Sequence, residues 1–231
     1  MIRKKEGQNN IVKVLGIAAS PRHGNTEILV QEALKAAEAL PFEVEVKFLS
    51  FAGKKIEPCT DCRYCVQKKS YCWKQDDWWE LISALLDHPP DGVIIGSPVY
   101  FFGLPSILRS FFERCTCLFK QLWDKEFPFP PPDWTKTAAG AIAVGFHRHG
   151  GVEHAISSIL HWFLTTGFVC VGGDYIGGAA WQLEMDSREA VLKDSIGIEA
   201  ARRVGQRVAF TAKLLKEGKQ RSPQLNLLKI G

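Results

Sequence analysis

The sequence predicts an α/β domain built on a parallel sheet. Two observations predict it: short apolar runs rich in branched residues alternate with stretches of helical periodicity, and the runs end at turn-forming residues. With 231 residues and 46% hydrophobic side chains, the chain is long enough to bury a substantial core as one unit.

Ile11 to Ala19 (IVKVLGIAA) is a continuous apolar run closed by Ser20-Pro21, the signature of a buried parallel strand. From Asn25, Leu29, Ala33, Ala36 and Leu40 recur at helical spacing until Pro41. Glu43 to Leu49 alternates charged and apolar residues and is expected at a sheet edge. Asp76 to Leu86 has an acidic start and an apolar face of Trp79, Ile82 and Leu86, so it predicts a helix that stops before Pro89-Pro90. Gly92 to Gly96 is the third strand. Leu104 to Leu122 predicts a helix that tolerates Pro105 in its first turn. Asp124 to Lys136, with Pro128 and Pro130 to Pro132, is expected as a stiff aromatic loop. Ala138 to Gly145 and Phe168 to Val171 are strands on either side of a helix at Val152 to Thr166. A last helix is expected over Ser187 to Lys216, stopped by Gly218.

Five strands alternating with five helices favour a flavodoxin-like three-layer sandwich, sheet order 2-1-3-4-5. Such sheets bind ligands beyond the carboxyl ends of their strands, which directs attention to the loops after Ala19, Gly96 and Gly145. The expected organisation is a single domain over 1–231, with a cysteine-rich insertion at 57–75 and the proline and aromatic loop at 124–136.

The first loop, Ser20-Pro21-Arg22-His23-Gly24-Asn25-Thr26, sets hydroxyls, an amide, an arginine and a glycine where a helix begins. Free N–H groups and the helix dipole there suit a phosphate, although Ser, Asn and Thr are also ordinary capping residues. Neither GxxxxGK[ST] nor GxGxxG is present. The second loop, Ser97-Pro98-Val99-Tyr100-Phe101-Phe102-Gly103, puts three aromatics at a strand end, where they suit either a flat ring system or a hydrophobic plug. The third, Gly145 to Gly151, offers close backbone approach through its glycines. His147, Arg148 and His149 there suit negative charge on a reduced ring system or plain solvation.

Cys59, Cys62, Cys65 and Cys72 form a Cys-x2-Cys-x2-Cys-x6-Cys run. The chain opens on charged and polar residues without an apolar leader and holds no stretch of membrane-spanning length. A cytoplasmic, reducing location is therefore expected, and the thiols are expected to be ligands or redox groups rather than disulfides. An iron-sulfur cluster, metal-free thiols and zinc all suit the run, zinc less well because its structural sites pair two knuckles across a longer spacer. Cys115, Cys117 and Cys170 lie on helix or strand patterns and are expected as buried thiols. Asp76 and Asp77 are expected to start a helix rather than to act as a catalytic pair. Net charge is +4, with basic residues gathered near both ends (Arg3 to Lys5, Lys213 to Arg221) and no basic stripe interleaved with aromatics, which argues against nucleic-acid binding. Trp73, Trp78, Phe127, Phe129 and Trp134 stand in polar contexts and are expected to close a site or a subunit interface.

Taken together, Ser20-Pro-Arg-x-Gly-Asn-Thr, the four-cysteine run followed by Asp76-Asp77, Ser97-Pro-Val-Tyr-Phe and Gly150-Gly151 resemble, in that order, the iron-sulfur flavoproteins within the NADPH-dependent FMN reductase-like family. The resemblance covers roughly Val12 to Leu215. It implies FMN as prosthetic group, with Ser20, Arg22, Gly24, Asn25 and Thr26 at the phosphate, Pro98, Val99, Tyr100 and Phe101 at the isoalloxazine, and Gly145 and Gly150 on its far side. It also implies a four-iron four-sulfur (4Fe-4S) cluster on the four cysteines and a homodimer or homotetramer with flavins near the interfaces. Electrons would pass between cluster, flavin and a ferredoxin-like or small-molecule partner. The other readings are an NAD(P)H-dependent FMN or quinone reductase without a cluster, and a non-enzymatic flavodoxin-like carrier or redox sensor. No catalytic acid or base is expected, because transfer at flavin needs no side-chain nucleophile.

Overall fold

Every strand pairing in the sheet is parallel, and the strand order is β2-β1-β3-β4-β5 with β6 also paired to β4. A computed structural model describes residues 10–87, 89–122, 124, 126–147, 150–173, 178–181 and 187–221. The strands are β1 (Val12–Ala18), β2 (Val44–Ser50), β3 (Gly92–Pro98), β4 (Ala138–Gly145), β5 (Val169–Cys170) and β6 (Ala179–Trp181). The helices are α1 (Asn25–Glu38), α2 (Tyr64–Gln67), α3 (Trp78–Leu86), α4 (Ser106–Arg114), α5 (Val152–Thr165) and α6 (Ser195–Arg221).

Pleating sends alternate residues of β1 to opposite faces. Leu15 and Ile17 join Leu81, Ile82, Val93, Ile95, Phe111 and Phe163 in one core, beneath α3, α4 and α5. Val12, Val14 and Ala18 join Leu29, Val30, Ile94, Val204 and Val208 in the other, beneath α1 and α6. This is the expected α/β three-layer arrangement, and the half-exposed β2 stands at the sheet edge as its alternation predicts.

The elements depart from expectation in four places. The fifth strand position is shared by two short pieces: β5 pairs with Ala138 and Ala139, and β6 with Ala143 to Gly145, so the described residues form six strands rather than five. The helix expected over Leu104 to Leu122 ends at Arg114 and continues as two 3-10 turns, Cys115–Leu118 and Lys120–Leu122. In its last turn the Phe111 carbonyl accepts from Trp78 Nε1 (3.2 Å), and the Arg114 side chain turns to the cysteine segment. The last helix begins at Ser195 rather than Ser187, after a separate 3-10 turn at Ala190–Lys193, and runs through Gly218. Asn25 holds the chain at Ser187 and Val191 out of a continuous helix. The buried face of α3 is Trp78, Leu81, Ile82 and Leu85, one residue around from the face expected from Trp79 and Leu86.

Three of the five aromatics expected to close a site or a subunit interface are buried within the chain instead. Trp78 and Trp134 are fully buried core residues and Phe127 is buried. Trp134 stacks on Phe168 (4.8 Å between ring centroids) and meets Phe119 edge-on (5.8 Å), so the 124–136 loop contributes to the core instead of standing off it. Phe129 stacks on Tyr71 at 4.0 Å. Only Trp73 of the five stays half-exposed.

Candidate functional site

β1, β3 and β4 end together, and each hands the chain to one of the three loops expected to bind a ligand. Ala19 N donates to Gly96 O (2.7 Å) and Val99 N to Val144 O (2.9 Å), so ladder bonds lock the starts of these loops side by side.

In the first loop the Ser20 hydroxyl donates to Arg22 O (2.7 Å) and accepts from Arg22 N (3.2 Å), closing a tight turn. Gly24 has φ +142°, a conformation that side chains disfavour, and precedes α1 directly. The N–H groups of Asn25 and Thr26 are the first of the helix, where the helix itself supplies no acceptor. Ser20, Arg22, Asn25 and Thr26 line one small concavity together with His23, Pro98, Val144 and Arg188. Arg188 was not foreseen. It is 162 residues or more from the rest of the loop, and no local motif marks it.

The second loop forms a hairpin turn in which Tyr100 and Gly103 exchange both backbone hydrogen bonds (2.9 and 3.1 Å). Phe101 (φ +45°) and Phe102 (φ +64°) occupy its two central positions in the left-handed region, where Asn and Gly are normally found. Tyr100, Phe101 and Phe102 are all exposed, Phe101 completely so at 101%. A plug would bury its rings, so the hydrophobic-plug alternative does not describe this turn.

The third loop abuts the second. Gly151 (φ +101°) packs on the Phe102 backbone so closely that a Cβ there would lie 2.6 Å from Phe102 Cα. A Cβ on Gly145 would meet Val99 Cγ2 at 3.5 Å and His147 O at 3.0 Å, and one on Gly150 would meet His147 Cβ at 2.9 Å. Arg148 and His149, expected beside the ring system, lie outside the described residues, as do Arg3 to Lys5 at the start of the chain.

The cysteine segment joins β2 to α3. Asp61 (φ +46°), Arg63 (φ +60°) and Lys69 (φ +49°) turn it sharply. Cys65 sits on α2, and all four cysteines line one pocket with Trp73, Lys74, Arg114, Thr116, Cys117 and Lys120. A latch closes the base of the segment. Asp76 Oδ2 accepts from Glu57 N (2.9 Å), Asp77 Oδ2 accepts from Lys55 N (2.7 Å), and Lys74 Nζ donates to Pro58 O (2.9 Å) and pairs with Glu57 (2.9 Å). Asp76 Oδ1 also accepts from Trp78 N (3.1 Å), so it does start α3 as expected. Its second duty, holding Arg114, needed the tertiary structure.

Arg114 is buried against the thiols. Its Nη1 donates to both carboxylate oxygens of Asp76, its Nη2 to Lys74 O (3.2 Å), and its guanidinium lies 4.9 Å from the Trp78 ring centroid. Nε is buried without a partner. Burial alone would raise the Asp76 pKa, but hydrogen bonds from Arg114, Glu57 N and Trp78 N together with the Arg114 charge hold it below its ordinary value.

The thiols differ in character. Hydrogen bonds from the Tyr64 backbone and from Trp73 Nε1, which approaches Sγ at 3.4 Å, hold the Cys62 pKa below the usual thiol value. Burial pushes Cys65 up and Cys115 well up. Cys117 is raised to about 12 by burial while its sulfur accepts from the Cys72 backbone N–H. Cys117 is thus a buried thiol as expected, but it also forms part of the pocket wall. Four thiols around a buried cation fit an anionic metal-sulfur group in donor chemistry. Among the described residues, however, no three His, Cys, Asp or Glu side chains converge at metal-holding spacing.

An open groove lies between the two regions. It is lined by Pro21 of the first loop, by Lys54 to Pro58 leading to Cys59, and by Ser106, Ile107, Arg109, Ser110 and Glu113 of α4. No helix among the described residues is long and apolar enough to cross a membrane.

The profile of the NADPH-dependent FMN reductase family matches residues 12–182, which include the three loops and the cysteine segment. An iron-sulfur flavoprotein of Methanocaldococcus jannaschii is 36% identical over 89% of this chain and 100% of its own length. One from Archaeoglobus fulgidus is 35% identical over 85% of this chain and 95% of its own. The solved structure of a flavodoxin, WrbA-like protein from Agrobacterium tumefaciens superposes with a TM-score of 0.56 at 16% identity, covering 88% of this chain and 98% of that one, a likeness of fold. The chain therefore belongs to the NADPH-dependent FMN reductase family, among its iron-sulfur flavoproteins, and is an FMN-dependent oxidoreductase.

Proposed function

We propose that this oxidoreductase passes electrons between FMN, held at the carboxyl ends of β1, β3 and β4, and a four-iron four-sulfur cluster held by Cys59, Cys62, Cys65 and Cys72. The observation that carries the reading is the meeting of three loops of complementary chemistry at one end of the sheet: a polar helix start, an exposed aromatic turn and a glycine-lined loop.

Ser20, Arg22 and the N–H groups at Gly24, Asn25 and Thr26 receive the phosphate, where helix dipole and free donors favour an anion. Pro98, Val99, Tyr100 and Phe101 present the backbone edge and the rings that orient the isoalloxazine, and Gly145 and Gly150 leave room on its other side. Bound FMN supplies a centre that accepts one electron or two, whereas a cluster passes one at a time, so the pair connects single-electron carriers to two-electron acceptors. Arg114 balances the negative charge gathered by four thiolates, and Asp76 in turn keeps that guanidinium in place. The partner is a ferredoxin-like protein or a small redox molecule. The exposed Tyr100, Phe101 and Phe102 support assembly as a homodimer or homotetramer with the flavin near the subunit interface.

A second reading is supported by the match to the NADPH-dependent FMN reductase family over residues 12–182: an NAD(P)H-dependent FMN or quinone reductase that carries no cluster. Anaerobic purification with iron, sulfide and flavin analysis separates the two. Four irons and four sulfides per chain with one FMN, lost in a Cys62→Ser variant, are expected from the first. Flavin without iron after reconstitution, together with steady NAD(P)H oxidation, would establish the second.

A further inference from the structure

We infer that Arg188 is a phosphate-binding residue of the flavin site, carried to the first loop by Asn25. This rests on the flavin reading above and assigns to it a residue from the far end of the chain.

Asn25 stands at the start of α1 and is buried. Its Nδ2 donates to Ser187 O (3.2 Å) and its Oδ1 accepts from Val191 N (3.0 Å), so both ends of the amide are occupied by the segment that brackets Arg188. The side chain of Asn25 is thus a clip, and its backbone N–H at the helix start is left to face an anion. The clip lays Arg188 over the first loop at its one bare position: a Cβ on Gly24 would come within 2.9 Å of Arg188 O and 3.1 Å of Arg188 Cβ. Glycine is required there both by φ and by this approach.

The result is that Arg188 lines the same concavity as Ser20, Arg22, Thr26 and Pro98. Its neighbours there include a second guanidinium, Arg22, and His23, which is engaged with Glu27 (2.8 Å). Among the described residues Arg188 has neither an ion pair nor a side-chain hydrogen bond, whereas the arginines at 202, 203 and 114 all have carboxylate partners. Two guanidiniums kept together beside unpaired helix N–H groups, with no carboxylate among the described residues to neutralise the one at 188, favour a doubly charged phosphate. A guanidinium can meet its oxygens with two parallel N–H donors.

The test compares FMN with riboflavin, which shares the ring but lacks the phosphate. Dissociation constants for both are measured on flavin-free protein by fluorescence quenching, for the wild type, Arg188→Met and Arg188→Lys. One charge-assisted hydrogen bond corresponds to about 10- to 100-fold in affinity. Arg188→Met is therefore expected to weaken FMN by about that factor and leave riboflavin unchanged, with Arg188→Lys between wild type and Met. Loss of both flavins equally would mean that Arg188 only supports the loop, and no loss of either would mean that it is a bystander; each overturns the inference while leaving the flavin reading intact. Wild-type protein that binds neither flavin would overturn both.

Discussion

Arg114 and Asp76 are 38 residues apart, yet their side chains form a two-pronged ion pair under the four-cysteine pocket, with Arg114 Nη1 on both carboxylate oxygens. The pair ties α4 to the end of the cysteine segment, just before α3, and puts a buried positive charge beside the thiols.

Removing Asp76 would leave that charge buried and uncompensated. Asp76→Ala is expected to destabilise the fold by roughly 3–5 kcal/mol, as for other broken buried pairs. Because the folded carboxyl titrates below its unfolded value, near 3.9, its contribution is complete above about pH 4 and is lost as pH falls through the folded value. Urea midpoints measured from pH 6 to pH 2 should fall less steeply in Asp76→Ala than in wild type over the acidic part of that range.

Thiol chemistry in metal-free protein should be ordered by environment. Cys62 is exposed and its thiolate is favoured by hydrogen bonds from Tyr64 N and Trp73 Nε1, while Cys117 is buried with its pKa at about 12. Alkylation at pH 7.5 followed by peptide mapping should label Cys62 first and the buried Cys117 and Cys115 last. Trp73→Phe, which removes the indole donor, should slow Cys62 and leave Cys117 as it was.

Phe101 and Phe102 hold turn positions that suit Asn and Gly. The double change Phe101→Asn with Phe102→Gly is expected to preserve folding stability or raise it by about 1 kcal/mol, since left-handed backbone costs a bulky residue roughly that much. The same protein should bind riboflavin more weakly than wild type. Equal riboflavin affinity would show that the exposed rings do not meet the flavin.

Two tryptophans that look alike in sequence should behave oppositely. Trp134 is 1% exposed and packed against Phe119 and Phe168, so Trp134→Ala is expected to cost about 3–5 kcal/mol by chemical denaturation. Trp73 is 51% exposed, and Trp73→Ala should cost less than about 1 kcal/mol.

Much of the fold was legible locally. Strand runs such as Ile11 to Ala19 and the helix from Asn25 declare themselves by composition and period, because burial of one face or both leaves a repeat in the chain itself. Trp78 and Trp134 were misjudged for the complementary reason: both lie among charged or proline-rich neighbours, and local polarity says nothing about which way one large ring turns. The split of the fifth strand was equally hidden, since two short segments complete one sheet position only through their register with β4.

The sequence by itself determined the α/β class, the three strand-end loops and the four-cysteine run, all of which are written in contiguous residues. Only the tertiary structure decided that Arg114 and Cys117 wall the thiol pocket, that Asp76 holds Arg114 as well as starting α3, and that Arg188 reaches the first loop. Each of these is a pairing of residues distant along the chain. Such pairings arise from packing and from the need to partner buried charge, and neither leaves a periodic signal to read.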